Sequence, residues 1–360
     1  MSSYDDIGPE VVMRVYDPAT NLQAIIVLDS LLRGPAKGGI RMTDSVTKQE
    51  VCELARAMTL KNALANLPFG GGKSGIIADA RSLSQEDKRL LVEAFAKKLS
   101  LIAPNHYIAA PDIAMDSEDM RVIASIAGNN SVTGKPVDIG GLSEKKASTG
   151  FGVFVAAREV LLLQDKELSS QRVAIQGFGN VGSFAAKYFS EADARVVAVS
   201  DSSATIIDPD GLDIASLIAF KDEGKRFSDY EDAKVGDVMD VLFVDCDVLV
   251  PAAQAEVITS DNQDDVCASV IVQAANLPIP HAVESVLEGR GVVVIPDILA
   301  NSGGVIASHS EIVGHSSTEM FSAIEKTISE NVSLLADSLI GSGSARSACI
   351  ALAKKRLFSE

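Results

Sequence analysis

The chain has 360 residues, 47% hydrophobic and 22% charged, which is room for two domains with separate cores in an ordinary soluble composition. A formal net charge of −17 argues against a phosphate backbone as partner, because nucleic-acid binders need a basic face. The most apolar window, 238–257, is broken by Asp240, Asp245 and Asp247, so no membrane span is expected.

Taken in chain order, Gln23 to Leu28 is rich in β-branched residues and reads as a buried strand. Gly34-Pro35-Ala36-Lys37-Gly38-Gly39-Ile40-Arg41 then sets a lysine among glycines, where another molecule can approach the backbone closely. Thr47-Lys48-Gln49-Glu50 is a capping box, opening a helix with Val51, Leu54, Ala55 and Met58 on one face. That helix is expected to run to about Asn66 and stop at Pro68, with Lys61 one or two turns from its end. Gly70-Gly71-Gly72-Lys73-Ser74-Gly75 reads as a loop of near-naked backbone carrying another lysine. Lysines converging on one cleft would bind carboxylate and depress one another's pKa towards neutrality, as a general base requires. A P-loop reading of Gly72-Lys73-Ser74 fails, since it needs glycine at 67, where Leu67 stands before Pro68. Ser84-Gln85-Glu86-Asp87 opens a second helix, and Ala110-Pro111-Asp112 places a carboxylate after a proline that fixes the chain.

The pattern changes after Gly128-Asn129-Asn130. A loop-rich stretch with Gly134, Pro136, Gly140 and Gly141 leads into a linking helix over Thr149 to Leu162. From Arg172 the order is strand, glycine turn, helix, strand, with later strands at 248–250, 269–273 and 292–295. Such alternation implies a parallel sheet with helices on both faces. The tail from Glu319 to Phe358 is helical in pattern.

Gly177-Phe178-Gly179-Asn180-Val181-Gly182 fits GxGxxG, with a strand before it, a helix after it, and Asp201 at the end of the next strand. In that context the helix start faces a pyrophosphate and the carboxylate bonds a ribose 2′-hydroxyl. The turn Ser202-Ser203-Ala204-Thr205 offers no local cation for a 2′-phosphate, so NAD is expected, with NADP possible. Cys52, Cys246, Cys267 and Cys349 have neither zinc-type nor CxxC spacing and are expected as buried free thiols, and no metal is expected. Together with a start, Met1-Ser2-Ser3-Tyr4-Asp5-Asp6, that lacks a signal pattern, this suggests a cytoplasmic setting.

The ordered motifs Gly-Pro-Ala-Lys-Gly-Gly-Ile-Arg, Met-Thr-Leu-Lys-Asn-Ala (58–63), Gly-Gly-Gly-Lys, Ala-Pro-Asp, Gln-Gly-Phe-Gly-Asn-Val-Gly and Pro-Asp-Ile-Leu-Ala-Asn-Ser-Gly-Gly-Val (296–305) resemble the glutamate/leucine/phenylalanine/valine dehydrogenase family from about Val11 to Ile312. The resemblance implies a two-domain α/β protein with its active site between the domains. Residues 1–145 would be the substrate, catalytic and oligomerisation domain. Residues 146–318 would be a Rossmann-type dinucleotide domain, and 319–360 helices that pack back on the first. It also implies a homo-oligomer acting on an amino acid, a 2-oxo acid and ammonia.

Residue by residue, Lys73 and Asp112 match the family's catalytic lysine and aspartate, and Lys61 its lysine for the substrate α-carboxylate. Thr149 and Asn276 match positions beside the nicotinamide, and Asn301 a cofactor-binding position. Lys145 stands where the family carries an arginine. Lys37 matches the lysine that glutamate-specific members use for the side-chain carboxylate, with Gly38 beside it, and Ser308 matches the serine that assists. Against glutamate stand Ala274-Ala275-Asn276-Leu277, which departs from the glutamate-type Gly-Ala-Asn-Gly, and a short, leucine-type beginning. The pocket residues decide substrate, so L-glutamate is the expected substrate. The same chemistry on leucine, valine or phenylalanine is the alternative, and a catalytically silent relative a more distant one.

Overall fold

The computed structural model describes residues 4–341 and 343–359. Two compact units emerge. The first takes the chain up to Lys145, Val305–Met320 and the chain from Leu352 onward, and the second takes Lys146–Gly304 and Phe321–Ala351.

In the first unit the elements are β1 (Val11–Asp17), β2 (Leu22–Leu28), β3 (Ala36–Thr43), α1 (Lys48–Leu64), β4 (Gly70–Ile77), α2 (Gln85–Leu99), β5 (Tyr107–Pro111) and α3 (Ser117–Ala127). The sheet order is β1-β2-β4-β3-β5, with β4, β3 and β5 parallel and β2 antiparallel to both its neighbours. Both glycine–lysine segments are therefore central strands, and Lys73 lies on β4 rather than in a loop. Glycine is a poor strand former in isolation, but here it lets neighbours close in from both sides. A Cβ on Gly71 would stand 2.1 Å from the Thr59 amide nitrogen of α1, and one on Gly72 would stand 2.7 Å from the Tyr107 ring.

α1 begins as expected. Thr47 accepts from the Glu50 amide while the Glu50 side chain returns to the Thr47 amide, a cap worth about 1 kcal/mol. It ends at Leu64, two residues earlier than expected, with Lys61 in the last turn. α1 covers Ile25 and Val27, and on the other face of the sheet α2 and α3 pack over a core that includes Leu22, Ile26, Ile40, Ile76, Phe95 and Tyr107. The buried Tyr107 hydroxyl donates to the Gly38 carbonyl at 3.0 Å and accepts from Ser74 Oγ at 3.1 Å, tying β5 to both glycine-rich strands.

The second unit holds α4 (Ser148–Leu163), β6 (Arg172–Gln176), α5 (Asn180–Glu191), β7 (Arg195–Ser200), β8 (Thr205–Ile207), α6 (Ile214–Asp222), β9 (Lys234–Gly236), β10 (Val248–Pro251), β11 (Val270–Val272), α7 (His281–Gly289), β12 (Val293–Ile295) and α8 (Asp297–Ala300). Its sheet runs β12-β11-β10-β6-β7-β8-β9. The first five strands are parallel, as the alternation implied, whereas β8 and β9 add an antiparallel edge. β8 and β9 hold only one apolar run, Ile206-Ile207, and a lone valine, Val235, unlike the equally short but all-apolar β11 and β12.

The tail comprises α9 (Gly303–Val313), α10 (Ser317–Leu334), α11 (Ala336–Ile340) and α12 (Ala345–Phe358). It divides differently from the expected 146–318 and 319–360. Val305–Met320 clusters with the first unit, and Phe321–Ala351 with the second. The aromatic face of α10 explains this: Phe321 packs edge-on to Phe151 of α4 at 5.0 Å between ring centroids. Ile328 approaches where Gly152 has no side chain. Cys52, Cys246 and Cys349 are buried free thiols, whereas Cys267 is exposed in the loop before β11. Among the described residues no helix is long and apolar enough to cross a membrane.

Candidate active site and dinucleotide site

Strand register determines which side chains meet in the first unit. Lys37 is opposite Gly71 on β4 and Ile108 on β5, and Gly39 is opposite Ala110. Side chains alternate along a strand, so Lys37, Gly39 and Arg41 share a face with Gly71, Lys73 and Ala110. In that register Lys73 falls beside Gly39. A Cβ at Gly39 would lie 3.3 Å from Lys73 Nζ and 2.8 Å from Asp112 Cβ. Its absence lets the lysine cross β3, and Nζ reaches Asp112 Oδ2 at 2.9 Å.

Arg41 Nε reaches the same oxygen at 3.0 Å, and its Nη1 reaches Glu50 Oε1 at 2.5 Å. The Glu50 that caps the helix carrying Lys61 thus also anchors Arg41. Burial raises the Asp112 pKa, but Lys73 and Arg41 outweigh it and hold the carboxyl below its usual range. Arg41 lies four residues from Lys37 on one strand, a spacing that puts both on one face.

Lys37 is almost fully buried and donates to Thr133 Oγ1 at 2.9 Å. Burial, then the Lys145 charge, pull its pKa down to about 7, with Glu311 opposing and Lys135 assisting. Lysine crowding is thus found around Lys37, while Lys73 meets a carboxylate. Glu311 is buried on α9. It accepts from the Gly134 amide at 2.8 Å and pairs with Lys145 Nζ at 2.8 Å and Lys135 Nζ at 3.3 Å. Ser308, also buried, lies three residues before Glu311 and so on the same helix face. Lys145, in place of the family's arginine, is committed to Glu311. Lys61 is half-buried in the last turn of α1. Thr133, Lys135 and Glu311 escaped the sequence reading because they belong to no motif, and only the tertiary fold gathers them.

In the second unit Gly177 turns the chain at φ +89°, and a Cβ on Gly182 would stand 1.8 Å from the Gly177 carbonyl oxygen. Gly179, before Asn180 and Val181, has no atom within 4 Å of where a Cβ would sit, and α5 starts without a side-chain cap. The open cradle and free amides suit a pyrophosphate. A cavity of about 430 Å³ adjoins them, lined among others by Phe178, Asp201, Ser202 and Lys221.

Asp201 is heavily engaged. Its Oδ1 accepts from Ser203 N at 2.7 Å, Ser203 Oγ at 2.5 Å and Ala204 N at 3.1 Å, and its Oδ2 accepts from Lys221 Nζ at 2.6 Å and Phe227 N at 3.2 Å. Burial raises its pKa, but Lys221 and then Ser203 lead the contacts that hold it down to about 2. The turn after Asp201 lacks a cation, as expected, but α6 supplies one from 20 residues further on. The local reading missed it because the approach is tertiary.

Asn301, the C-cap of α8, donates to the Ala274 carbonyl and to Asn276 Oδ1, both at 3.1 Å. Its own Oδ1 is buried with no hydrogen-bond partner. Such an acceptor is what a carboxamide NH₂ would complete, so these residues fit a nicotinamide dinucleotide. Thr149 lies at the start of α4, with its Oγ1 2.9 Å from where a Cβ on Gly304 would be.

A family model described as Glutamate/Leucine/Phenylalanine/Valine dehydrogenase matches residues 140–344. A second, described as Glu/Leu/Phe/Val dehydrogenase, dimerisation domain, matches residues 9–127. Glutamate dehydrogenase of Aeropyrum pernix is 41% identical over 290 residues, covering 78% of this chain and 69% of that protein. NADP-specific glutamate dehydrogenase A1 of Halobacterium salinarum is 42% identical over 290 residues, covering 78% and 70%. The crystal structure of hetero-hexameric glutamate dehydrogenase from Thermus thermophilus, in its Leu bound form, superposes with a TM-score of 0.87 at 30% identity, covering 97% of this chain and 88% of that one. Motifs, sheets and likenesses agree along nearly the whole sequence, and the chain belongs to the glutamate/leucine/phenylalanine/valine dehydrogenase family.

Proposed function

We propose that this chain catalyses the reversible oxidative deamination of L-glutamate: glutamate, NAD(P)⁺ and water give 2-oxoglutarate, ammonium, NAD(P)H and a proton. Lys37 carries the reading. Its ammonium is buried on a central strand and held by the Thr133 hydroxyl, and among the described residues no carboxylate lies within ion-pair distance. A leucine, valine or phenylalanine side chain would strand that group, whereas a γ-carboxylate would complete it. Relatives at 41–42% identity named glutamate dehydrogenase support the same substrate.

In this reading Lys37 and Ser308 hold the γ-carboxylate, with Gly38 next to Lys37 along the strand, and Lys61 holds the α-carboxylate. A nicotinamide held by Thr149, Asn276 and Asn301 would supply the acceptor for the hydride that leaves Cα. Lys73 takes a proton from the water that attacks the resulting iminium, and the carboxylate of Asp112 accepts it across their 2.9 Å contact and hands it to departing ammonia. Arg41 keeps Asp112 ionised and aimed. The engaged Asp201 and the adjoining Lys221 support use of either NAD or NADP, the lysine meeting a 2′-phosphate. A homo-oligomer built through the first unit is supported by its match to a dimerisation-domain model. A cytoplasmic setting is supported by the buried free thiols.

The test is ammonium-dependent oxidation of NADH and NADPH over a panel of 2-oxo acids. The kcat/KM for 2-oxoglutarate should exceed that for 4-methyl-2-oxopentanoate or phenylpyruvate by about a hundredfold, the scale of one stranded buried charge. A preference for either apolar acid overturns the proposal.

A further inference from the structure

α12 opens with a cation. Arg346, its second residue, stands where the positive end of the helix dipole disfavours it, and its side chain is 6% exposed. Carboxylates explain the placement. Nε and Nη2 grip both oxygens of Glu284 at 2.7 and 2.6 Å, Nη2 also reaches Gln273 Oε1 at 3.2 Å, and Nη1 reaches Asp297 Oδ1 at 2.8 Å. Glu284 and Asp297 are themselves buried, and the one guanidinium is the cation they share.

The other oxygen of Asp297 points to the cofactor side. Its Oδ2 accepts from the Leu277 amide at 3.0 Å. Leu277 has φ +47°, a left-handed conformation that a side chain of its size rarely adopts without outside support. It directly follows Asn276, whose Oδ1 accepts from Asn301. Asn301 in turn caps α8, the short helix that Asp297 begins. Asp297 therefore sets both halves of the asparagine pair, the loop bearing Asn276 and the helix bearing Asn301, and Arg346 sets Asp297.

We propose that Arg346 is a positioning residue for the nicotinamide: through Asp297 it holds Asn276 and Asn301 in register to receive the carboxamide. The inference rests on the assignment of those two asparagines to the nicotinamide. A staple that merely stabilised the second unit would matter equally to every nucleotide that unit binds. ADP-ribose has the adenosine and pyrophosphate but no nicotinamide, and so separates the two roles.

Equilibrium binding of NADH and of ADP-ribose is measured on the full chain for Arg346→Met, Arg346→Lys and Asn301→Ala. Arg346→Met should weaken NADH tenfold or more and leave ADP-ribose within twofold. Arg346→Lys, which keeps the charge but not the fork, should fall between. At saturating NADH the KM for 2-oxoglutarate should stay within threefold of the parent. If Arg346→Met folds poorly, Arg346→Met with Glu284→Gln removes a cation and an anion together, and the same selective loss is expected. Parallel weakening of both ligands, or of neither, overturns the inference. If Asn301→Ala leaves the NADH-to-ADP-ribose ratio unchanged, the carboxamide assignment itself has failed. If Asn301→Ala shifts the ratio and Arg346→Met does not, only the positioning role has failed.

Discussion

Gly39→Ala is a one-carbon test of the catalytic pair. The new Cβ would stand 2.8 Å from Asp112 Cβ and 3.3 Å from Lys73 Nζ. Carbon atoms settle at about 3.5–4.0 Å, so the aspartate must retreat by roughly 0.7–1.2 Å while the ammonium is pushed aside. The 2.9 Å contact between Lys73 and Asp112 would then open beyond about 3.5 Å, outside hydrogen-bond range. A misplacement of about 1 Å in a reacting array costs on the order of a hundredfold in rate. The expected outcome is thus a kcat about a hundredfold lower for glutamate oxidation at saturating substrates, with NADH affinity unchanged. Lys73→Ala alone should lower kcat by about 10²–10⁴. Adding Gly39→Ala to it should cost less than about threefold more, because the contact is already lost. A well-folded Gly39→Ala enzyme within threefold of the parent kcat would refute the reasoning. So would a full hundredfold loss in the Lys73→Ala background, since the damage would then lie elsewhere.

Lys37→Leu with Ser308→Val should lower kcat/KM for glutamate by about a hundredfold or more and raise activity on leucine or norleucine, measured as initial rates over both substrates. If glutamate survives the exchange, Lys37 does not hold its side chain. The pKa of about 7 at Lys37 also fixes a sign. The binding-competent ammonium is present below that pH and lost above it, so the ratio of kcat/KM for glutamate over norvaline should decline as pH rises through 7. Lys37→Arg should abolish the decline, and a flat ratio in the parent enzyme contradicts the assignment. Lys221→Met should reduce kcat/KM for NADP about tenfold or more, the scale of a charge-assisted hydrogen bond. NAD should be unaffected or better used, because Asp201 is released towards the ribose, and equal losses with both cofactors would remove Lys221 from discrimination.

Local chemistry was legible and tertiary approach was not. The capping box at Thr47, the turn at Gly177 and the carboxylate at Asp201 are written in consecutive residues, and the structure has them in place. β3 and β4 were obscured because glycine and lysine look like loop residues until Tyr107 and α1 are seen closing on them. Lys221 was hidden because it arrives from another helix, and Glu311 because nothing ties it in sequence to the loop at 133–135. The family motifs supplied the pairing of Lys73 with Asp112. The reason for the glycine between them appeared only with strand register.

The candidate substrate groups Lys37 and Lys73 are rungs of a hydrogen-bonded ladder, with a strand on either side of each. A pocket on loops can be redrawn by insertion or deletion, but a rung cannot be lengthened without moving its neighbours. A one-residue slip would turn every side chain of that strand to the opposite face. Diversification of such a site is confined to exchanging side chains on a fixed lattice. On such a lattice an exchange as small as Lys37→Leu changes what the site can accept while the ladder that carries it keeps its register.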